Sequence, residues 1–407
     1  MWILQRFTQY VFLIGLMIYL LLGCSISKIN SLPPSQQPTV KQSTLTLTKV
    51  WQRSLLGLIN SPPITISNGS HLLVAHTKGI YQYKTTTGDV VWRSNIGTIQ
   101  SALAISNDER TLLVWLKSNE VVALNTATGK VLWRTTLPIE SSTAPILLEG
   151  SVIILTTDGR VIGLDAITGD RIWSLFRTTP TLSLQLSGAM IAINPTTVIV
   201  GFPGGKVMAL KAATGEVIWE EKLSTARGVN EIERIVDILP NWLLVPNLGA
   251  CATVYPQSVV CINDQGQTTY QHATDSNLGL VASSQHWFSL SDSNSLKAWL
   301  FAPKKAINPS GFSSTISNTL PVWSLESLKD PTMGHRLLSI AANEQYVLTM
   351  DSKGTLYVLS PSTGVQLTHK KLGFSPKNNV LLSPIMVNTV SSVIVTTDQH
   401  LSLWSLQ

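Results

Sequence analysis

Three observations predict an all-β fold: a phrase ending in Thr-Gly-x-x-x-Trp that returns every 40 to 46 residues, a pair of short apolar strands ahead of each copy, and a last copy without its final strand. The expected architecture is an eight-bladed β-propeller of four-stranded antiparallel blades, the last blade closed by an N-terminal strand.

The clearest copies run 79–92, 122–133, 162–173 and 208–219, so Trp92, Trp133, Trp173 and Trp219 are 41, 40 and 46 positions apart. In each, alternating apolar and β-branched residues suit a strand. The Thr-Gly pair closes a tight turn whose left-handed position suits glycine, and a second strand ends in Trp. A further strand pair precedes each phrase, as 151–155 precedes Thr157-Asp158-Gly159. Weaker copies follow: 260–266 reaches Tyr270 where Trp is expected, and 357–364 reaches Thr368. Between them, 296–300 and 321–323 read as the same strand pair, split by a Pro-, Ser- and Asn-rich insertion at about 303–320. That makes seven copies. Trp51, Trp92, Trp133, Trp173, Trp219 and Trp323 are the expected blade-packing residues, each filling the gap between adjacent sheets with its N–H free to donate.

The chain ends supply the eighth blade. The last copy stops at Leu401-Ser402-Leu403-Trp404-Ser405-Leu406-Gln407, a third strand without a fourth. Val50-Trp51-Gln52-Arg53 echoes Val91-Trp92-Arg93 and is the missing piece. A closed ring removes exposed sheet edges, whereas an open solenoid needs capping repeats, and none is visible.

The propeller is expected to span 49–407. Ahead of it, residues 1–23 read as a signal peptide: one positive charge at Arg6, then an apolar run from Tyr10 to Leu22 that is short for a transmembrane helix. Leu21-Leu22-Gly23-Cys24 resembles a bacterial lipobox, in which the Cys24 thiol is lipidated after cleavage behind the small Gly23. Ser25, rather than Asp, after the cysteine points to the outer membrane. Residues 24–48, rich in Ser, Thr, Pro, Gln and Lys, read as a lipidated cysteine and a tether. Three acyl chains on one residue hold a protein stably on a membrane. The expected location is the periplasmic face of the outer membrane.

Composition narrows the function classes. Of 407 residues 44% are hydrophobic and 13% charged, with a formal net charge of +6. Lys and Arg are scattered, with no run longer than Lys304-Lys305 or Lys370-Lys371, so no stripe suited to nucleic acid exists. Three cysteines are too few for a disulfide framework. Cys251 and Cys261 flank an expected hairpin. They are either bridged across it or a pair of buried thiols.

Catalytic motifs do not emerge. His-Glu-x-x-His, Gly-x-Ser-x-Gly, a Walker loop and a dinucleotide fingerprint are all missing, and the seven histidines never pair at metal-ligand spacing. His71 and His76 read as structural residues of one strand. Ser25-Ile26-Ser27-Lys28 fits Ser-x-x-Lys but sits in the tether, with nothing to activate the hydroxyl. The Trp repeat resembles that of quinoprotein dehydrogenases, which makes a PQQ-dependent periplasmic enzyme the alternative reading. Those enzymes are longer, and their site uses calcium, an adjacent-cysteine disulfide and a catalytic Asp. This chain has no Cys-Cys pair. No cofactor, metal or catalytic residue is therefore expected.

Lipobox, tether, eight Trp-type blades and length together resemble the BamB family, lipoproteins of the outer-membrane β-barrel assembly machinery. The resemblance implies a non-enzymatic scaffold that binds the periplasmic POTRA domains of BamA. The machinery's other lipoproteins, unfolded outer-membrane clients and the membrane are further partners. It is most specific at Leu182-Ser183-Leu184 and at 230–237, similar to the family's BamA-contacting segments. Each segment joins the outer strand of one blade to the inner strand of the next, so both lie on one face in neighbouring positions. Leu182 and Leu184 then offer an apolar contact, and Arg234 with Asp237 a polar one. The alternative is that both leucines are core residues of an early strand. Gln185 stands where the family has Arg, and Leu239 where it has a second Asp.

Overall fold

Eight antiparallel sheets follow one another along the described chain, seven of them with strands in sequence order and the last closed by the first strand of the chain. The computed structural model describes residues 45–407 except 56–60, 78, 101–102, 142, 149, 179, 181–188, 225–234, 241, 256–257, 275–279, 292–293, 302–319, 327–334, 375, 377–379, 388 and 398–399. Blades 1 to 7 occupy 64–94, 104–136, 146–176, 189–222, 237–273, 281–326 and 337–371. Blade 8 combines 380–406 with Leu47–Ser54, which pairs antiparallel with His400–Leu406. Thr46 and Gln407 exchange backbone hydrogen bonds at the junction, so the two ends of the propeller clasp each other. Blade 5 departs from four strands: its inner strand is broken into Asp237–Ile238 and Leu243–Val245, both paired with Gly249–Tyr255.

Burial follows strand position. Second and third strands are apolar and covered on both faces, as in Thr197–Phe202 and Ser151–Leu155. Fourth strands alternate, as in Arg171–Phe176, because one face meets water. First strands of adjacent blades pack on one another, which puts them innermost.

Eight apolar clusters fill the eight seams. Ile80 and Leu112 belong to the seam between blades 1 and 2, and Val152 and Leu113 to the next. The series runs on through blades 3 to 8. The eighth cluster joins Ile394 and Leu403 of blade 8, with Trp51, to Leu72 and Val74 of blade 1. That last contact closes the ring.

Six seams carry the same latch. The indole N–H of a fourth-strand Trp donates to a carbonyl in the next blade: Trp51 to Thr85 (2.7 Å), Trp92 to Thr126 (3.1 Å), Trp133 to Ala166 (3.0 Å), Trp173 to Ala212 (2.9 Å), Trp219 to Asp264 (2.7 Å) and Trp323 to Pro361 (2.8 Å). Each ring lies on the glycine of that blade's turn. At Gly129, φ is +68° and a Cβ would come within 2.4 Å of the Trp92 ring, so both conformation and space demand glycine.

The two remaining seams explain the missing tryptophans. Tyr270 and Thr368 occupy the Trp register, opposite Cys261 and Val358. The blade beyond Tyr270 has the 301–322 connection instead of a Thr-Gly turn, and the blade beyond Thr368 is made from the two chain ends. In both, the receiving blade supplies the indole. Trp287 donates to the Tyr270 hydroxyl at 2.9 Å and stacks with Trp299, their centroids 5.2 Å apart. Trp404, 3% exposed, enters the blade 7–8 cluster and donates to the Ser402 hydroxyl. The blade 5–6 seam also holds the Cys251–Cys261 disulfide, which joins directly opposed residues of adjacent strands. The bridged alternative is the one realised.

His71 and His76 begin and end one strand, and His76 is buried beside Tyr83 and Tyr81. Burial lowers its pKa from 6.5 to about 4. The unfolded chain therefore takes up a proton near pH 6.5 while the folded chain stays neutral. Stability from this group is complete above that pH and lost as the pH falls towards 4, by about 3 kcal/mol at most. Urea unfolding at pH 7 and pH 5 should show this loss in the wild type and a smaller one in His76→Gln. An equal pH dependence in both proteins would contradict the assignment.

Candidate functional site

Strand polarity sets up the two faces of the ring. Where a blade has a glycine turn between its third and fourth strands, that turn lies on one face, while the second-to-third turns and the flanks of the connections between blades lie on the other. The described flanks of the connections leaving blades 3 and 4 are therefore neighbours on the second face.

Leu182, Leu184, Gln185 and Arg234, and the lipidation candidate Cys24, lie outside the described residues. The flanks of both connections are described, and one turn links them. Pro203-Gly204-Gly205, between the second and third strands of blade 4, is packed between them. Gly204 lies against Pro180 on one side, and its N–H donates to the Val236 carbonyl at 2.7 Å on the other. Gly205, at φ +73°, faces Val236 and the Ser224 carbonyl, and its own carbonyl accepts from Leu223 N–H. The sequence reading missed this turn. Its signal was the pair of glycines, which lie outside the Thr-Gly-x-x-x-Trp phrase.

Asp237, on the inner strand of blade 5, is 3% exposed and opposes Tyr255 of the next strand. The inner strand is anchored by Leu239 N–H on the Thr253 carbonyl, and Leu239 is buried. A second Asp at Leu239 would need solvation that this strand does not offer.

The open features here come from blades 3 and 4. Phe176, half exposed, carries the Arg160 guanidinium over its ring at 5.2 Å, and Arg160 pairs with Asp158 at 2.8 Å. Glu220 is shared by Arg177 and Lys206 at 3.6 and 3.8 Å. The Asp158 carboxyl is held below its ordinary range by hydrogen bonds from Thr156 and Arg160, against the opposing effect of its partial burial. An aromatic ring framed by paired charges suits protein recognition better than bond-making chemistry. Among the described residues, no group of three His, Cys, Asp or Glu is placed to hold a metal ion.

Residues 76–300, more than half of the chain, match the family model of the outer membrane protein assembly factor BamB. The chain belongs to the BamB family. It is 27% identical to the outer membrane protein assembly factor BamB of Burkholderia pseudomallei over 381 residues, 92% of each chain. With that of Bordetella pertussis it shares 28% over 291 residues, 70% of this chain and 69% of the relative. The BamB crystal structure from Moraxella catarrhalis superposes with a TM-score of 0.70 at 19% identity, covering 88% of this chain and all of that one. A quinohemoprotein alcohol dehydrogenase from Comamonas testosteroni superposes at 0.58 and 13% identity, over 88% of this chain and 76% of that one. That likeness is one of fold.

Gly205→Val tests the link between the two connections. The new side chain would press on Val236 and hold an unfavourable φ, costing about 2 kcal/mol in urea unfolding. The Gly204 amide should also lose hydrogen-exchange protection. A variant with wild-type midpoint and protection would show that the turn does not hold Val236.

Proposed function

We propose that the chain is a non-enzymatic scaffold of outer-membrane protein assembly, which binds the periplasmic POTRA domains of BamA and helps outer-membrane proteins fold and insert. The family assignment supports the assembly role. Supporting this surface is the Pro203-Gly204-Gly205 turn, which contacts the flanks of both connections that carry Leu182, Leu184, Gln185 and Arg234. In this reading the leucines make the apolar contact, Gln185 and Arg234 the polar one, and buried Asp237 fixes where its segment emerges.

Lipidated Cys24 and the tether hold the ring at the periplasmic face of the outer membrane, beside BamA and the other lipoproteins of the machinery. Confinement raises the local concentration of the partners without any new contact. Unfolded clients would meet the same assembly. No nucleic acid, cofactor or metal enters this reading.

A gentle-detergent pull-down of the tagged chain from its native membrane, with Leu184→Arg as the comparison, tests the proposal. BamA should co-purify with the wild type and fall by about ten-fold or more with the variant, the scale of a central interface contact. Absence of BamA from the wild-type eluate would overturn the scaffold reading, and equal recovery would overturn the surface.

A further inference from the structure

Blade 7 holds a cavity of about 650 Å³ on the face that carries the connections between blades. It opens beside the seam with blade 6. Strand alternation sets Thr355 and Tyr357 of the third strand opposite Lys371 and His369 of the fourth, all on one face of the sheet. Lys353 joins them from the turn, and His335 from the start of the blade. Lys370 points to the other face by the same alternation and meets the cavity only at its rim.

Among the described residues, the charge lining this cavity is one-sided. The single carboxylate among them, Asp351, is fully buried and accepts from Lys353 N–H (2.9 Å), Thr355 N–H (2.8 Å) and the Tyr357 hydroxyl (3.1 Å). It shapes the turn. The His369 ring stacks on Tyr357 with centroids 6.0 Å apart, and Asn294 of blade 6 donates to the His335 carbonyl at 3.2 Å. Both imidazole-bearing residues are thus held by the fold.

Other blades show what is unusual. At the same end of the third strand, blade 2 pairs Glu120 with Arg134, blade 3 pairs Arg160 with Asp158, and blade 4 pairs Lys206 with Glu220. In blade 7 the corresponding position is Thr355, a hydroxyl, and the residues around it are Lys353 and Lys371. Neither lysine has an ion pair with a described residue. Two ammonium groups, two imidazoles and a hydroxyl around a concave surface are a donor set waiting for an acceptor.

We infer that this cavity binds a phosphate-bearing ligand. Phosphate oxygens accept from several donors at once, and a phosphodiester matches a cavity open on one side. The ligand is a phospholipid headgroup or a soluble phosphate compound. The inference stands on blade 7 alone and does not depend on the BamA contact.

Calorimetry on the detergent-solubilised full chain at low salt tests it with three probes: pyrophosphate, dihexanoyl phosphatidylglycerol and dihexanoyl phosphatidylcholine. Saturable binding of either anionic probe is expected, weakened about ten-fold or more by Lys353→Glu/Lys371→Glu and by added salt. Lys353→Gln/Lys371→Gln, which adds no negative charge to the fold, should weaken binding in the same direction. Lys84→Glu/Lys130→Glu, the same charge change on blades 1 and 2, should bind as the wild type. Phosphatidylglycerol bound more tightly than both other probes identifies a headgroup, and pyrophosphate bound most tightly a soluble phosphate. No saturable binding, or equal weakening by the distant pair, would overturn the site.

Discussion

The indole of one blade resting on the turn of the next is the contact on which this ring depends. A propeller sheet cannot bury both faces alone, so each needs a neighbour held at a fixed angle. Apolar clusters supply most of the attraction, but apolar contact is non-directional. The latch adds direction, since the N–H to carbonyl bond fixes where the Trp edge sits and the turn glycine fixes how closely the ring approaches. Arg53 extends the first latch across the closing seam. Its guanidinium donates to the Gly88 and Thr87 carbonyls and pairs with Asp89 at 3.1 Å.

The latch has two halves, and they are lost together. A Trp without a turn beneath it would hang over the 301–322 connection or over the junction of the chain ends. Tyr270 and Thr368 stand there instead, and the indole moves to the other side of the seam. Beside the blade 5–6 seam, a disulfide ties the second and third strands of blade 5 across a short loop, worth about 3 kcal/mol in a chain-entropy account. Blade 8 itself is completed by the pairing of Leu47–Ser54 with His400–Leu406.

Much of this was legible in the repeat, because Thr-Gly and Trp are both visible and their spacing is the latch itself. Closure was legible for a related reason: Trp51 needs a sheet beneath it, and only the last copy lacked a fourth strand. Other features were hidden because no local pattern encodes them. Trp287, Trp299 and Trp404 serve as seam residues only by virtue of their own blade's missing turn. Asp237 looked like a surface charge because the break in its inner strand leaves no periodic signal. The basic cavity of blade 7 is dispersed over 335–371, so charge counting along the chain saw only Lys370-Lys371, one of which faces away.

The interdependence of Trp and turn glycine can be measured directly by a double-mutant cycle of Trp92→Ala and Gly129→Ala in denaturant unfolding. With Trp92 present, Gly129→Ala carries both the left-handed backbone penalty and the collision with the ring, about 3 kcal/mol in all. With Trp92→Ala the collision is gone, and the same change should cost only about 1 kcal/mol. A coupling of about 2 kcal/mol is the predicted result. Equal costs of Gly129→Ala in the two backgrounds would contradict the latch, and would leave the seams held by apolar burial alone.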